Sequence, residues 1–551
     1  MSRRVARRSP DLTITVAVIA CVVMPPASSC AGDKGEWVCP CGQPTLVTSG
    51  HGNDTEPVWS PDGARIAFQT DRNGDLDLAA VDVKTGAISV LVGGPGHACY
   101  PAWTPAGNLV YSFGDHHQTA VAAAVAKSDA GCNLKVLEGE RVRALTHGYW
   151  RDYTPSVTQD GSWVYYASTR SNTENSASLW RQSLREPNRQ ECVLHLDSHS
   201  TGATQPSVSP DGRVLIWCQM DGFRGNWRLR AARPEDPGNS VALTGEEMSA
   251  YAPRWAPDGR TIAFTGFRSG DPAWQIYLLS PVANMTTRLD TGPGNSRNPA
   301  WSPDGKHLIF ENNRSGFYKL FKVGVDPGRP PTTSLPARPN FKTECAARIE
   351  FSETGARWVG ANGMVMPAAI KGTVTIAAGG ATLAGNGHIA LDRPPGLDYG
   401  TGCFYVRMTL AAEAFGGGPR IAVVGQYPQH ALGWQIFLNE AGRVCFNSRD
   451  PKGAYVGIMS DRPVQLGKPF DVAGVRDGEG GLRMYIDGAL QSSRAAGATM
   501  SYGDATAIAL GRRGGGPPLT GSILAFETGR GYPPGIKPPP TMQELFPEKH
   551  Q

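Results

Sequence analysis

Glu56, Tyr100, Thr154, Gln205, Ala252 and Asn298 occupy equivalent places in the chain, each opening one copy of a phrase that reads EPVWSPDG at 56–63. Arg151, Asp152, Tyr153, Tyr251 and Arg297 stand directly beside them. If the copies are strands of a closed repeat, these residues line up at one end of its innermost strands. An enzyme would need several carboxylates or histidines to converge there for acid–base work. Only Glu56 qualifies, with Asp152 nearby. The rest offers hydroxyls, amides, aromatic rings and guanidiniums, which suit recognition of a protein or a sugar. The candidate ligand-binding set is therefore Glu56, Tyr100, Arg151, Asp152, Tyr153, Gln205, Tyr251, Arg297 and Asn298. Three or more acidic or histidine side chains meeting at the mouth would favour catalysis. A mouth of Tyr, Gln, Asn and Arg favours binding.

Two other groups carry charge. Arg72, Arg170, Arg268 and Arg314 recur thirteen residues after the phrase's Trp-or-Val position, with Arg224 in shifted register. A ring of guanidiniums would suit an acidic partner, but a position that repeats with the fold reads first as salt bridges between blades, to the turn aspartates. Asp115, His116 and His117 form the second group. Adjacent strand residues point to opposite faces, so only one histidine could serve a site, and an exposed loop is the simpler reading. No GxSxG, HExxH, P-loop or EF-hand string is present. Cys39 and Cys41 are too close for a CxxC motif and no His/Cys cluster completes a metal site, so no catalytic residue, cofactor or metal is expected.

The elements that must position these residues follow from the phrase. Its Trp-or-Val position falls at Trp59, Trp103, Val157, Val208, Trp255 and Trp301, at intervals of 44 to 54 residues, the period of a four-stranded propeller blade. Pro before the aromatic favours an extended innermost strand. Pro-Asp-Gly then forces a hairpin: Pro presets φ, Asp bonds its own backbone and Gly accepts positive φ. Alternation such as Ile66/Phe68 and Leu308/Phe310 marks the next, half-buried strand. The repeated Trp packs one blade on its neighbour.

This PxWSPDGxxIAF pattern resembles the propeller repeat of the TolB family, related to the WD-repeat-like modules of dipeptidyl peptidases. The resemblance covers 42–326 and implies six blades. Thr45–Thr48 is expected to close the ring beside the sixth, which lacks a fourth strand of its own. The α/β domain that precedes the TolB propeller has no room in the mature chain, so the Tol–Pal role is not carried over.

Residues 327–359 read as a Pro-rich linker. From 360 to 530, short alternating segments joined by Gly, Asn and Asp turns predict a two-sheet sandwich. GLRMYIDG followed by AIALG and GSILAF resembles the laminin-G/concanavalin A-like jelly roll. Laminarinase-type relatives of that fold need two carboxylates one strand apart, whereas Glu440, Glu479 and Asp487 are scattered in turns. Calcium in the sandwich is left open, as is whether Cys403 and Cys445 bridge or remain buried thiols. The tail, 531–551, is expected to be ordered and then frayed.

The amino terminus, 1–30, is basic and then apolar over LTITVAVIACVVM, too short to span a bilayer but suited to a signal peptide. Cys30 is the favoured lipid-attachment residue, with ordinary signal cleavage as the rival, and the lipid would be the sole link to a membrane. A net charge of +4, with four arginines in the first eight residues, gives no case for nucleic acid. Of 11 cysteines, nine remain beyond Cys21 and Cys30. The expectation is an all-β, exported protein of the bacterial envelope, periplasmic or a cell-surface lipoprotein. It would act in recognition, with the propeller taking a protein or peptide and the sandwich a glycan or protein. The rival is a polysaccharide lyase or hydrolase working in the propeller's central pocket.

Overall fold

A computed structural model describes residues 39–114, 131–170, 177–196, 202–220, 226–245, 248–283, 285–326, 344–360, 363–392, 403–414, 420–427, 430–449, 455–460, 463–476, 481–494, 507–511 and 519–547. The amino-terminal run with Cys30, the Asp115–His116–His117 string and Arg224 lie outside them.

Each phrase makes the same corner. In the first copy the Ser60 hydroxyl donates to Asp62 (2.6 Å) and accepts from the Arg65 N–H (2.9 Å), while the Gly63 N–H reaches the Ser60 carbonyl (2.9 Å). Ser209/Asp211 and Ser302/Asp304 repeat the hydroxyl–carboxylate bond. Gly63 sits at φ 72°, and a Cβ there would lie 3.7 Å from Pro303 of the preceding blade. The turn glycine of one blade thus rests on the turn proline of its neighbour, as Gly161 does on Pro105 and Gly259 on Pro210.

These hairpins build six four-stranded antiparallel sheets. The innermost strands are Asp54–Trp59, His97–Trp103, Asp152–Val157, Ala203–Val208, Met248–Trp255 and Ser296–Trp301. Each touches the next, and the sixth touches the first, so the ring is closed. Alternation supplies both faces of each blade. Ile66 and Phe68 pack with Trp59 against Ala300, Ile309 and Leu320 of the sixth blade, whereas Ala67 and Leu78 face Leu109 and Tyr111 of the second.

Closure is made by strand Cys39–Leu46, which runs antiparallel to Lys319–Asp326 with Thr45 opposite Lys322. The Val47 N–H continues the ladder to the Leu320 carbonyl (2.8 Å). The sixth blade is therefore completed from the other end of the propeller sequence, as expected from Thr45–Thr48, with a strand that starts earlier.

The second sheet system opens with Glu344–Ser352, which pairs with Gly521–Arg530, so pairing begins inside the stretch that reads as linker. Strand Gly380–Asp392 joins two layers, its first half pairing with Gly521–Arg530 and its second with Ala507–Leu510. Phe404, Val406, Met408 and Leu410 alternate inward onto Trp434, Ile436 and Phe446. Phe446 lies over Gly474, where a Cβ would come within 2.7 Å of the ring. Cys403 and Cys445 do not bridge each other. The Cys403 thiol donates to the Gly531 carbonyl (3.3 Å), and burial pushes the Cys445 thiol up to about 12.

Thr541 caps a one-turn helix, Met542–Leu545, in a reciprocal box with Glu544. Leu545 and Phe546 pack into the apolar seam of the fourth and fifth blades, Phe546 lying 5.9 Å from Trp255.

Candidate ligand-binding site

The six residues that open the phrases share one unusual backbone state. Glu56, Tyr100, Thr154, Gln205, Ala252 and Asn298 have φ between 50° and 54°. The phrase's proline leads to the expectation of an extended innermost strand. Instead each innermost strand bulges there, and in the first blade Thr55 pairs with Gln69 and Val58 with Ala67, leaving Glu56 and Pro57 unmatched. A left-handed non-glycine costs roughly 1–2 kcal/mol, and the neighbouring blade offsets it. The Tyr100 N–H donates to Gln69 (3.2 Å), Gln205 to Thr154 (3.2 Å), Ala252 to Gln205 (2.8 Å), Asn298 to Thr265 (2.9 Å) and Glu56 to Glu311 (3.0 Å). A ring of side-chain acceptors fixes a ring of bulges.

The bulges frame a cavity of about 430 Å³, lined by Glu56, Tyr100, Thr154 and Arg254 at one level and by the phrase tryptophans and prolines at the other. Beside Glu56, Asn298 donates to its carboxyl (2.9 Å), Arg297 ion-pairs with Glu311 (2.7 Å), and the Arg297 guanidinium lies 4.1 Å from the Tyr318 ring centre. Tyr251 meets Trp274 edge-on at 4.9 Å, and Tyr100 stands 6.3 Å from Tyr153. Burial, reinforced by the charge of Glu311 and opposed by Arg254 and Arg297, pushes the Glu56 carboxyl up to about 7. Burial likewise pushes the Arg254 guanidinium below its usual range, against the pull of Glu56. Burial raises the Tyr100, Tyr153 and Tyr251 phenols.

Glu56, Tyr100, Tyr153, Tyr251, Arg297 and Asn298 are thus connected around the axis. Gln205 is bound into the ring, its amide oxygen accepting from Ala252 and the Cys218 thiol. Arg151 stands near Tyr153, while Asp152 is turned away, fully buried and ion-paired with Arg170. That pair corrects the reading of the recurrent arginines as bridges between blades. Arg72 and Arg170 each reach back within their own blade to Asp54 and Asp152 of the innermost strand, not to turn aspartates. Arg314 bonds Asn312 and the Thr291 carbonyl, and Arg268 lies over Tyr277.

Sequence reasoning missed Glu311 and Arg254. Glu311 sits ten residues beyond Trp301, where Gln69 and Thr265 stand in their blades, so a recurring polar residue ending the second strand was its signal. Arg254 occupies the phrase's third place, which is otherwise Val58, Ala102, Ser156, Ser207 and Ala300. A lone cation among small residues was legible. Among the described residues no three His, Cys, Asp or Glu side chains group to hold a metal ion.

Fold and mouth define a class: a closed six-bladed propeller with an axial cavity, followed by a β-sandwich. Residues 205–351 match the TolB beta propeller domain and 385–527 the concanavalin A-like lectin/glucanases superfamily, so the chain belongs to the TolB-type propellers, with a concanavalin A-like domain attached. The uncharacterized protein Atu1656 of Agrobacterium fabrum is 32% identical over 247 residues, 43% of this chain and 76% of that one. The uncharacterized peptidase YuxL of Bacillus subtilis is 33% identical over 96 residues, and the match spans 16% of this chain and only 14% of that protein. TolB from Acinetobacter baumannii superposes with a TM-score of 0.39 at 16% identity, over 47% of this chain and 60% of that one.

Proposed function

We propose that the chain is a non-catalytic recognition protein of the bacterial envelope. The mouth of the propeller binds the ligand, and the sandwich supplies a second contact to glycan or protein. Its export rests on the basic-then-apolar amino terminus. The supporting observation is the make-up of the axis: Tyr100, Thr154 and Arg254 line the cavity beside Glu56, Asn298 donates to Glu56, and the second carboxylate nearby, Glu311, is paired with Arg297. Such a surface stacks and hydrogen-bonds without a paired acid and base.

Glu56 favours a second reading. A carboxyl poised near neutrality beside a cavity could serve as a general acid in a lyase or hydrolase. That chemistry needs a partner base, and Glu311 is engaged. A glycan array probed with the full chain and with a Tyr100→Ala/Tyr153→Ala variant tests the first reading: bound glycans should drop out with the variant. Unchanged binding would move recognition off the propeller. Release of saccharide products that Glu56→Gln abolishes would establish the enzyme instead.

A further inference from the structure

Arg254 is out of place by every local rule. Its five equivalents are small or apolar, and it follows Ala252, the smallest residue among the six left-handed positions. The Arg254 side chain lines the cavity. Its one hydrogen bond is to the Pro253 carbonyl (3.0 Å), and among the described residues no carboxylate lies within ion-pair distance. A guanidinium withdrawn from water with no ion-pair contact, attracted only by the more distant Glu56, carries a desolvation cost that an incoming carboxylate relieves, through two parallel hydrogen bonds.

We propose that the axial cavity binds an acidic saccharide, seating a sugar carboxylate on Arg254. The proposal rests on the recognition reading above and names its ligand class. The volume of about 430 Å³ falls within the range of small-molecule sites. Tyr100 lines the cavity and offers a ring face for sugar C–H surfaces. An extended peptide finds less to hold, because each innermost strand is broken by a left-handed residue and a proline that lacks an N–H, leaving no continuous edge to extend.

Glu56 then acts as a gate. It is faced by Glu311 from the second strand of the sixth blade, Arg297 and Asn298 from that blade's first strand, Arg254 from the fifth blade and Tyr100 from the second. Below about pH 7 Glu56 is neutral and the charge of Arg254 is fully available. Above it, the Glu56 carboxylate repels a uronate, which stays ionised throughout. Binding should therefore weaken as pH rises through neutrality.

Calorimetric titration of the full chain with a mannuronate trimer, its methyl ester and trialanine tests this at pH 6 and pH 8. The acid should bind about tenfold tighter than the ester, and about fivefold tighter at pH 6 than at pH 8, each within the size of a partly screened charge pair. Arg254→Gln should erase the preference for acid over ester, and Glu56→Gln should remove the pH dependence. Equal binding of acid and ester overturns the proposal, as does binding of trialanine alone. Loss of all three probes, with glycan-array binding intact, also overturns the carboxylate seat and leaves the recognition reading standing.

Discussion

Asp54 and Glu56 are two residues apart and live under opposite electrostatics. Burial works to raise the Asp54 carboxyl, but hydrogen bonds from Arg72, Thr70, Thr48 and Lys319 outweigh it and hold the group below the usual range. Lys319 is itself only 4% exposed. Removing the carboxylate strands that ammonium, so Asp54→Ala should lower stability by about 3–5 kcal/mol, measured by urea unfolding. The contribution of Asp54 is present above the ordinary carboxylate pKa and lost as pH falls through its depressed folded value. Glu56 carries the reverse sign. Its folded pKa is raised, so the native state holds a proton that the unfolded chain has released, and stability falls as pH climbs from about 4.5 to about 7. Glu56→Gln should match the parent's melting temperature at pH 4 and exceed it at pH 8; a deficit at pH 8 would show Glu56 stabilised as an anion. Of these residues, Glu56 was legible by its place in the phrase. Asp54 was not, because its partners Lys319 and Thr48 lie at the far ends of the propeller sequence and meet only through ring closure.

At the scale of the element, the phrase does two jobs and its sequence announces one. The Ser/Thr-x-Asp-Gly corner is local chemistry, written in the residues that make its hydrogen bonds, and it forms as expected. The bulge before proline is not local. Its left-handed residue is held by an acceptor on the neighbouring blade, so nothing within eight residues reveals it. The two features should respond differently to mutation. Gly63→Ala loses only the turn's positive φ, about 1–2 kcal/mol, with little change in ligand binding. Gln205→Ala removes the acceptor for Ala252 and should impair binding at the axis more than its stability loss explains. Equal effects of both on binding would contradict the assignment of the bulges to the site. In the sandwich, Gly474→Val drives a methyl into Phe446 and should cost about 1–3 kcal/mol.

Over the whole molecule, blade number and strand order were legible because each blade's strands and turns are written within one period, and closure was legible from the strand that the sixth blade lacks. What lay beyond one period was harder to see. The sandwich recruits Glu344–Ser352 from a stretch whose Pro-rich start hides a strand. The tail, expected to be ordered before it frays, holds a capped helical turn whose Phe546 is 7% exposed against the propeller. Its aromatic-and-leucine pair after a Thr-x-x-Glu box was the available signal. Phe546→Ala should destabilise by about 3 kcal/mol, with faster amide exchange in Met248–Trp255; exchange unchanged there would detach the tail from the propeller's stability.

Hydrogen–deuterium exchange of the full chain with and without saturating mannuronate trimer at pH 6 tests the central claim most directly. The account predicts protection around the axis, at 54–57, 98–101, 252–254 and 296–298. Protection confined to the sandwich, 403–449 and 470–494, would contradict it and transfer recognition to the second domain.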